Sequence, residues 1–142
     1  MSLYEIEQTM FSALVDKLKE LVTDGTVNDV IVGFEEDYPD DYPVIYVEIA
    51  DESFEAVTPN KDQYVMSLDV VVEHFDSDYR EGQERVREVA MRVYEKLVND
   101  RTLSDAVDVL NVTNFDTEVT ALPDGFLFEK TLSVDMIKWL FG

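Results

Sequence analysis

The chain has 142 residues, 46% of them apolar and 11% aromatic, with no cysteine and with 32 acidic side chains against 11 basic ones, a net charge of −21 with its single histidine neutral. That length and apolar content suffice for one core that buries on the order of two thirds of the unfolded chain's surface, and the aromatic content separates the chain from the disordered sequences that such charge usually accompanies. The composition excludes disulfides, thiolate metal sites and thiol catalysis, the apolar residues nowhere form the run of about 18 that a membrane span needs, and the charge repels phosphate backbones and anionic lipid.

The start MSLYEIEQTM has neither the basic nor the apolar region of a secretory signal, and cysteine-free composition fits a reducing compartment. An excess of surface carboxylate suits a protein working in high salt, where the Debye length falls to about 3 Å at 1 M. A halophilic source is expected; an acidic protein of ordinary salinity is the plainer alternative.

Ser2 and Glu5 form an S-x-x-E capping box, and Ile6, Met10, Leu14, Leu18 and Leu21 then recur at helical spacing. This first helix is expected to stop at Thr23-Asp24-Gly25, where glycine takes the left-handed cap without strain. Val30–Phe34 is a short strand, followed by an exposed acidic loop, Glu35–Pro43, whose two prolines and charges exclude helix and central strand. Val44–Ile49 is a second strand, Asp51–Asp62 a polar connection containing Phe54, and Tyr64–Phe75 a third strand with Tyr64, Met66, Leu68, Val70 and Val72 on the core face.

Asp76-Ser77-Asp78 offers caps for a second helix with an inner stripe of Val86, Val89, Ala90, Val93, Tyr94 and Leu97. Its basic residues, Arg85 and Arg92 among them, follow Glu81 and Glu88 by four positions, the spacing of surface ion pairs worth roughly 0.2–0.5 kcal/mol each. The same stripe could instead dock an acidic partner. Thr102 and Asp105 can cap a short turn of helix through Val107, Val109–Leu122 is a fourth strand, and Pro123-Asp124-Gly125 turns a hairpin into Phe126–Phe141. The expected fold class is α+β, order α-β-β-β-α-β-β, a single domain over residues 1–142 with two long helices packed on one face of an antiparallel sheet.

No constellation for catalysis is present. His74 is the only histidine and lies at the end of the third strand's core-facing row, the place of a structural residue. One histidine and no cysteine cannot assemble a nitrogen or sulfur zinc site, and the five glycines have neither dinucleotide-binding nor P-loop spacing. Asp37, Asp40 and Asp41 could hold calcium through oxygen ligands, but the EF-hand pattern is absent; solvated surface is the simpler reading. The chain is therefore expected to be no enzyme and to carry no cofactor or metal.

A capped first helix, three strands with a long connection between the second and third, a charged central helix, a short turn at Thr102–Val107 and a hairpin at Pro123-Asp124-Gly125 make up the layout. Across Leu3–Phe141 it resembles the tail-terminator proteins of long-tailed viruses, also called tail-completion or head–tail joining proteins. The likeness is one of layout, and no functional residue is carried over from it. With the −21 charge it points to a virus of a halophilic archaeon. The resemblance implies a homohexameric ring at the tail–neck junction of the virion, assembled in the host cytoplasm. Such a ring would contact the tail-tube protein on one side and a head–tail connector or neck protein on the other, with genomic DNA passing through its lumen and no membrane involved.

Ring closure needs two different complementary patches on each subunit. The candidates are Glu36, Asp37, Asp40 and Asp41 in the acidic loop, Phe54 in the Asp51–Asp62 connection, and the basic face around Arg85 and Arg92. Trp139 and Phe141 at the chain end are either buried beneath the sheet or face a partner. Alternatives to the terminator role are another neck or tail protein, such as a head-completion or tube subunit, and a cellular ligand-binding module of ferredoxin-like build.

Overall fold

The computed structural model describes residues 2–33, 39 and 41–141. In chain order they form α1 (Leu3–Thr23), β1 (Asp29–Val32), β2 (Val44–Thr58), β3 (Lys61–Asp76), α2 (Tyr79–Val98), β4 (Val109–Leu122) and β5 (Gly125–Phe141). Ser2 caps α1 by accepting from the Glu5 backbone N–H at 3.2 Å, and Gly25 follows the helix with a φ of 84°. Asp78 caps α2, accepting from the Glu81 N–H at 2.9 Å. Both caps stand where the sequence places them, because a short polar side chain satisfies amide donors that the first helical turn leaves unpaired. Among the described residues no helix is long and apolar enough to cross a membrane.

The five strands form one sheet in the order β1-β2-β3-β5-β4. It is mixed, which corrects the all-antiparallel expectation: β1 runs parallel to β2 through Asp29↔Val44 to Val32↔Val47. Residues 33–43 separate the two strands, and about a dozen residues are what a chain needs to return to the same end of a sheet and pair in parallel. The other three pairings, β2 with β3, β3 with β5 and β5 with β4, are antiparallel.

One face of the sheet supplies Ile45, Val47, Met66, Leu68, Val70, Val72 and Phe128 to a cluster shared with Met10, Leu14 and Leu18 of α1 and Val86, Val89 and Val93 of α2. Helix α2 touches β3, β4 and β5, while α1 touches β1 and α2. Phe128 and Val72 are fully buried, and side chains of this size are each worth about 1.5–3 kcal/mol in transfer from water.

The expected polar connection Asp51–Asp62 is instead sheet. Strand β2 continues to Thr58, turns at Pro59-Asn60 and returns as β3 from Lys61. The period-2 alternation Ser53-Phe54-Glu55-Ala56 pairs with Gln63–Val65 and with Asp62, and cross-strand pairing outweighs the low strand preference of acidic side chains. Bulges interrupt the register between Ile49 and Asp51 and between Ala56 and Thr58. Strand β5 runs beside this hairpin as far as Phe141↔Lys61, so the far ends of β2, β3 and β5 make a three-stranded arm whose β2 residues 48–58 are all exposed.

The turn after α2 also departs from expectation. Leu103, Ser104 and Asp105 have φ of 48°, 57° and 72°, a left-handed turn where a right-handed one was expected. Each such residue costs roughly 1–2 kcal/mol. Burial of Leu103 in the core and bonds from Ser104 N to Asp100 Oδ1 at 3.2 Å and from Val107 N to Thr102 O at 3.1 Å hold it in place.

Candidate functional site

Two surfaces carry most of the sequence-derived candidates, and a third lies on the sheet. The first is the arm. Phe54 stacks on Tyr64 with ring centroids 5.1 Å apart, yet remains 60% exposed. The Tyr64 hydroxyl donates to Glu52 Oε1 at 2.7 Å, and burial, more than the nearby carboxylates, raises the phenol's pKa. Glu7 on α1 meets Glu52 here; burial first, then the Glu52 charge and a hydrogen bond shared with it, raise the Glu7 carboxyl above its ordinary value.

On the arm's opposite face stand Trp139 and Phe141, across from Gln63 and Lys61. Phe141 is 76% exposed and Trp139 38%, while Leu140 between them packs against the core. Lys61 Nζ sits 4.0 Å from the Trp139 ring and 5.7 Å from that of Phe141. The aromatic chain end is therefore not buried beneath the sheet: alternation turns Leu140 inward and its two neighbours outward.

The second surface is the outer face of α2. Arg92 reaches Glu88 at 3.2 Å, as its spacing anticipates, but Arg85 turns forward to Glu88 at 3.6 Å and to the Thr26 carbonyl at 3.5 Å instead of back to Glu81. Glu81 lies in the first turn of α2, where its own N–H is held by Asp78. The acidic loop completes the set only in part. Asp41 is exposed and accepts from the Tyr42 N–H at 2.8 Å; Glu36, Asp37 and Asp40, and with them the calcium reading, lie outside the described residues. Among the described residues no group of three or more histidine or carboxylate side chains is arranged to hold a metal ion.

The third surface is a row of carboxylates that includes none of those candidates. On the sheet face away from the helices, Glu73, Glu129 and Glu118 stand directly opposite one another across β3, β5 and β4. Burial first, then Glu129, raises the Glu73 carboxyl, against a hydrogen bond with Tyr42 that lowers it; burial first, then Glu118, raises Glu129. Further along, Ser67 donates to Asp135 at 2.6 Å. Strand alternation places Asp69 and Glu73 on this face from the sequence, but the row needs the non-local β3–β5 register.

His74 is the remaining candidate. Its Nε2 lies 3.4 Å from Asp76 Oδ2, and its buried Nδ1 has no hydrogen-bond partner among the described residues. Burial above all lowers its pKa, Arg85 adds to that, and Asp76 and Asp41 oppose it. Hollows beside α1 are lined largely by charge: Asp16, Lys17 and Glu20 in one, Asp24, Arg92, Glu95 and Lys96 in another, unlike the apolar clefts that take small molecules.

No protein-family model matches the chain, and no curated protein matches it. Among solved structures it is similar to a chain described as "Virion of native gene transfer agent (GTA) particle", with 13% identity over 89% of this chain and 91% of that one and a TM-score of 0.48. A likeness of that degree carries no functional conclusion.

Proposed function

We propose that this chain is a structural subunit of a tailed virion that closes into a ring at the head-proximal end of the tail tube, ends tube growth and joins tail to head. The observation that carries this reading is the arm, where Phe54 on one face and Trp139 and Phe141 on the other are held outside the core. Aromatic side chains presented this way are the anchors that subunit contacts use. The layout from Leu3 to Phe141 supports the same reading by its resemblance to tail terminators.

Tube subunits add through one repeated head-to-tail contact, and growth continues until a subunit with only half of that contact occupies the end. The arm supplies one such half, toward the tube protein. A different surface of the ring faces the connector or neck protein. The carboxylate face bearing Glu73, Glu129 and Glu118 suits a lumen, because it repels phosphate and lets DNA slide without sticking. The −21 charge fits assembly in the high salt of a halophilic host.

Particles made without this protein should show unjoined heads beside tails of uncontrolled length in electron micrographs, and purified protein should arrest tube growth. Normal-length tails lacking heads would move the protein to the neck. Normal, joined tails would remove it from tail completion altogether.

A further inference from the structure

The two long outer strands of this sheet are open. Strand β1 covers β2 only from Val44 to Val47, and β4 is outermost over Val109–Leu122. Among the described residues, β2 from Glu48 to Thr58 and β4 therefore have no strand on their outer sides, and each leaves a row of backbone donors and acceptors without a strand partner, although at the start of β4 the Leu110 carbonyl accepts from Arg101 at 3.1 Å. Natural proteins rarely leave an edge of that length uncovered. The bulges after Ile49, after Ala56 and after Val112 leave two regular stretches, Asp51–Ala56 and Asn114–Leu122, free to pair.

We propose that copies of this chain join edge to edge, the β2 arm of one along β4 of the next. Strand direction argues for a second copy as the occupant. Strands β2, β3, β5 and β4 alternate in direction, and because they are four, the two open edges run oppositely. Rotation about an axis along the strands brings the β2 of one copy antiparallel to the β4 of its neighbour and repeats the alternation without a break. A two-fold axis pairing like edges would leave the other edge of each copy open.

Side chains agree with that operation. Rotation keeps the helix side of every copy on the same side of the joined sheet. There Phe54 on β2 and Val119 on β4 are exposed apolar residues at the two edges, and they come within diagonal cross-strand reach. On the other side Asp51 and Glu55 approach Asp116 and Glu118. Those like charges oppose the contact until salt screens them, so the join forms in high salt and loosens in low salt. The inference rests on the ring reading above only for closure; the edge contact itself is independent of what the ring caps.

The cysteine-free chain makes the test clean. Ser53, Asp116 and Glu118 share the carboxylate side of the sheet, and directly opposed residues in an antiparallel pair approach closely enough for a disulfide. Full-length Ser53→Cys/Asp116→Cys and Ser53→Cys/Glu118→Cys variants, oxidised at molar salt, should give ladders at multiples of the chain mass from at least one pair, with the ladder lost at low salt. A Ser53→Cys/Arg87→Cys variant probes the arm lying on α2. Cross-linking in that variant with none in the edge pairs would overturn the proposal, as would Glu118→Cys alone dimerising as completely as the pair. Light scattering of the unaltered chain separates the two readings. A stable ring with no edge cross-link sinks the edge contact and leaves the ring, whereas a monomer at every salt concentration sinks both.

Discussion

Phe128 on β5 lies against the bare backbone of Gly82 on α2, where an added Cβ would collide with its ring. The glycine sits inside a helix, a position where alanine is ordinarily better by about 1 kcal/mol. Here the close approach reverses the sign. Gly82→Ala should destabilise the chain by about 1–3 kcal/mol through overpacking, read as a lowered midpoint in chemical denaturation. A gain in stability would show that α2 can back away from β5.

The row Glu73–Glu129–Glu118 makes stability depend on pH in a definite direction. A carboxyl whose folded pKa is raised binds its proton more tightly folded than unfolded, so its contribution is lost as pH climbs from the ordinary carboxylate value through the raised one. Glu129→Gln removes both the half-buried charge and its repulsion of Glu73 and Glu118. The variant should be more stable than the parent at neutral pH, by a margin that grows from about pH 4 upward, levels off once the parent is ionised, and shrinks in molar salt. Denaturation curves across that range, in low and high salt, measure it. A parent that is more stable than Glu129→Gln at neutral pH would contradict the account.

At His74 the sign is opposite. Burial lowers the imidazole pKa, so the stability tied to the neutral ring is present above the unfolded value and lost as pH falls through the folded one. His74→Phe keeps the ring's bulk and removes a buried nitrogen that has no partner among the described residues, a group whose burial costs about 1–3 kcal/mol. The variant should be no less stable at neutral pH and should lose less on acidification below about pH 6.5. Equal acid sensitivity in the two proteins, followed by thermal melts, would assign the effect to other groups.

What could be read from the chain follows the range of the interactions. The helices were legible because caps at Ser2 and Asp78 and the stripes beneath them are local. The last hairpin was legible too. A two-residue turn at Pro123-Asp124 pairs Leu122 with Gly125, and counting back reaches Glu118 opposite Glu129. The parallel entry of β2 beside β1 and the register that sets Glu73 against Glu129 depend on chain that is distant in sequence. The arm was hidden differently. Asp51, Glu52 and Glu55 resemble a loop in composition, and only pairing with β3 reveals a strand. The aromatic end showed its residues but not its direction, which rests on β5 staying in register with β3 as far as Lys61↔Phe141.

That direction sets up the clearest separation of function from stability. The Trp139 and Phe141 rings face solvent beside Lys61, whose cation–π contact at an exposed site is worth about 0.5–1 kcal/mol, and the Trp139 backbone N–H donates to Asp108 Oδ2 at 2.7 Å, a bond that side-chain replacement leaves in place. Leu140 between them is half-buried and packs against the core. Replacing Trp139 and Phe141 together with serine should therefore cost the folded chain no more than about 1 kcal/mol, whereas Leu140→Ser should cost several times as much. If the arm end is an anchor to the tube, the double variant loses about 2 kcal/mol or more of binding, roughly 30-fold in affinity. Melting curves should then set the double variant beside the parent and Leu140→Ser well below both. In an assay where purified protein arrests tube growth, the double variant alone should be folded and inactive. Full arrest by the folded double variant would show that the tube is held by another surface, and a melting point as low as that of Leu140→Ser would show that the two aromatic rings serve the fold.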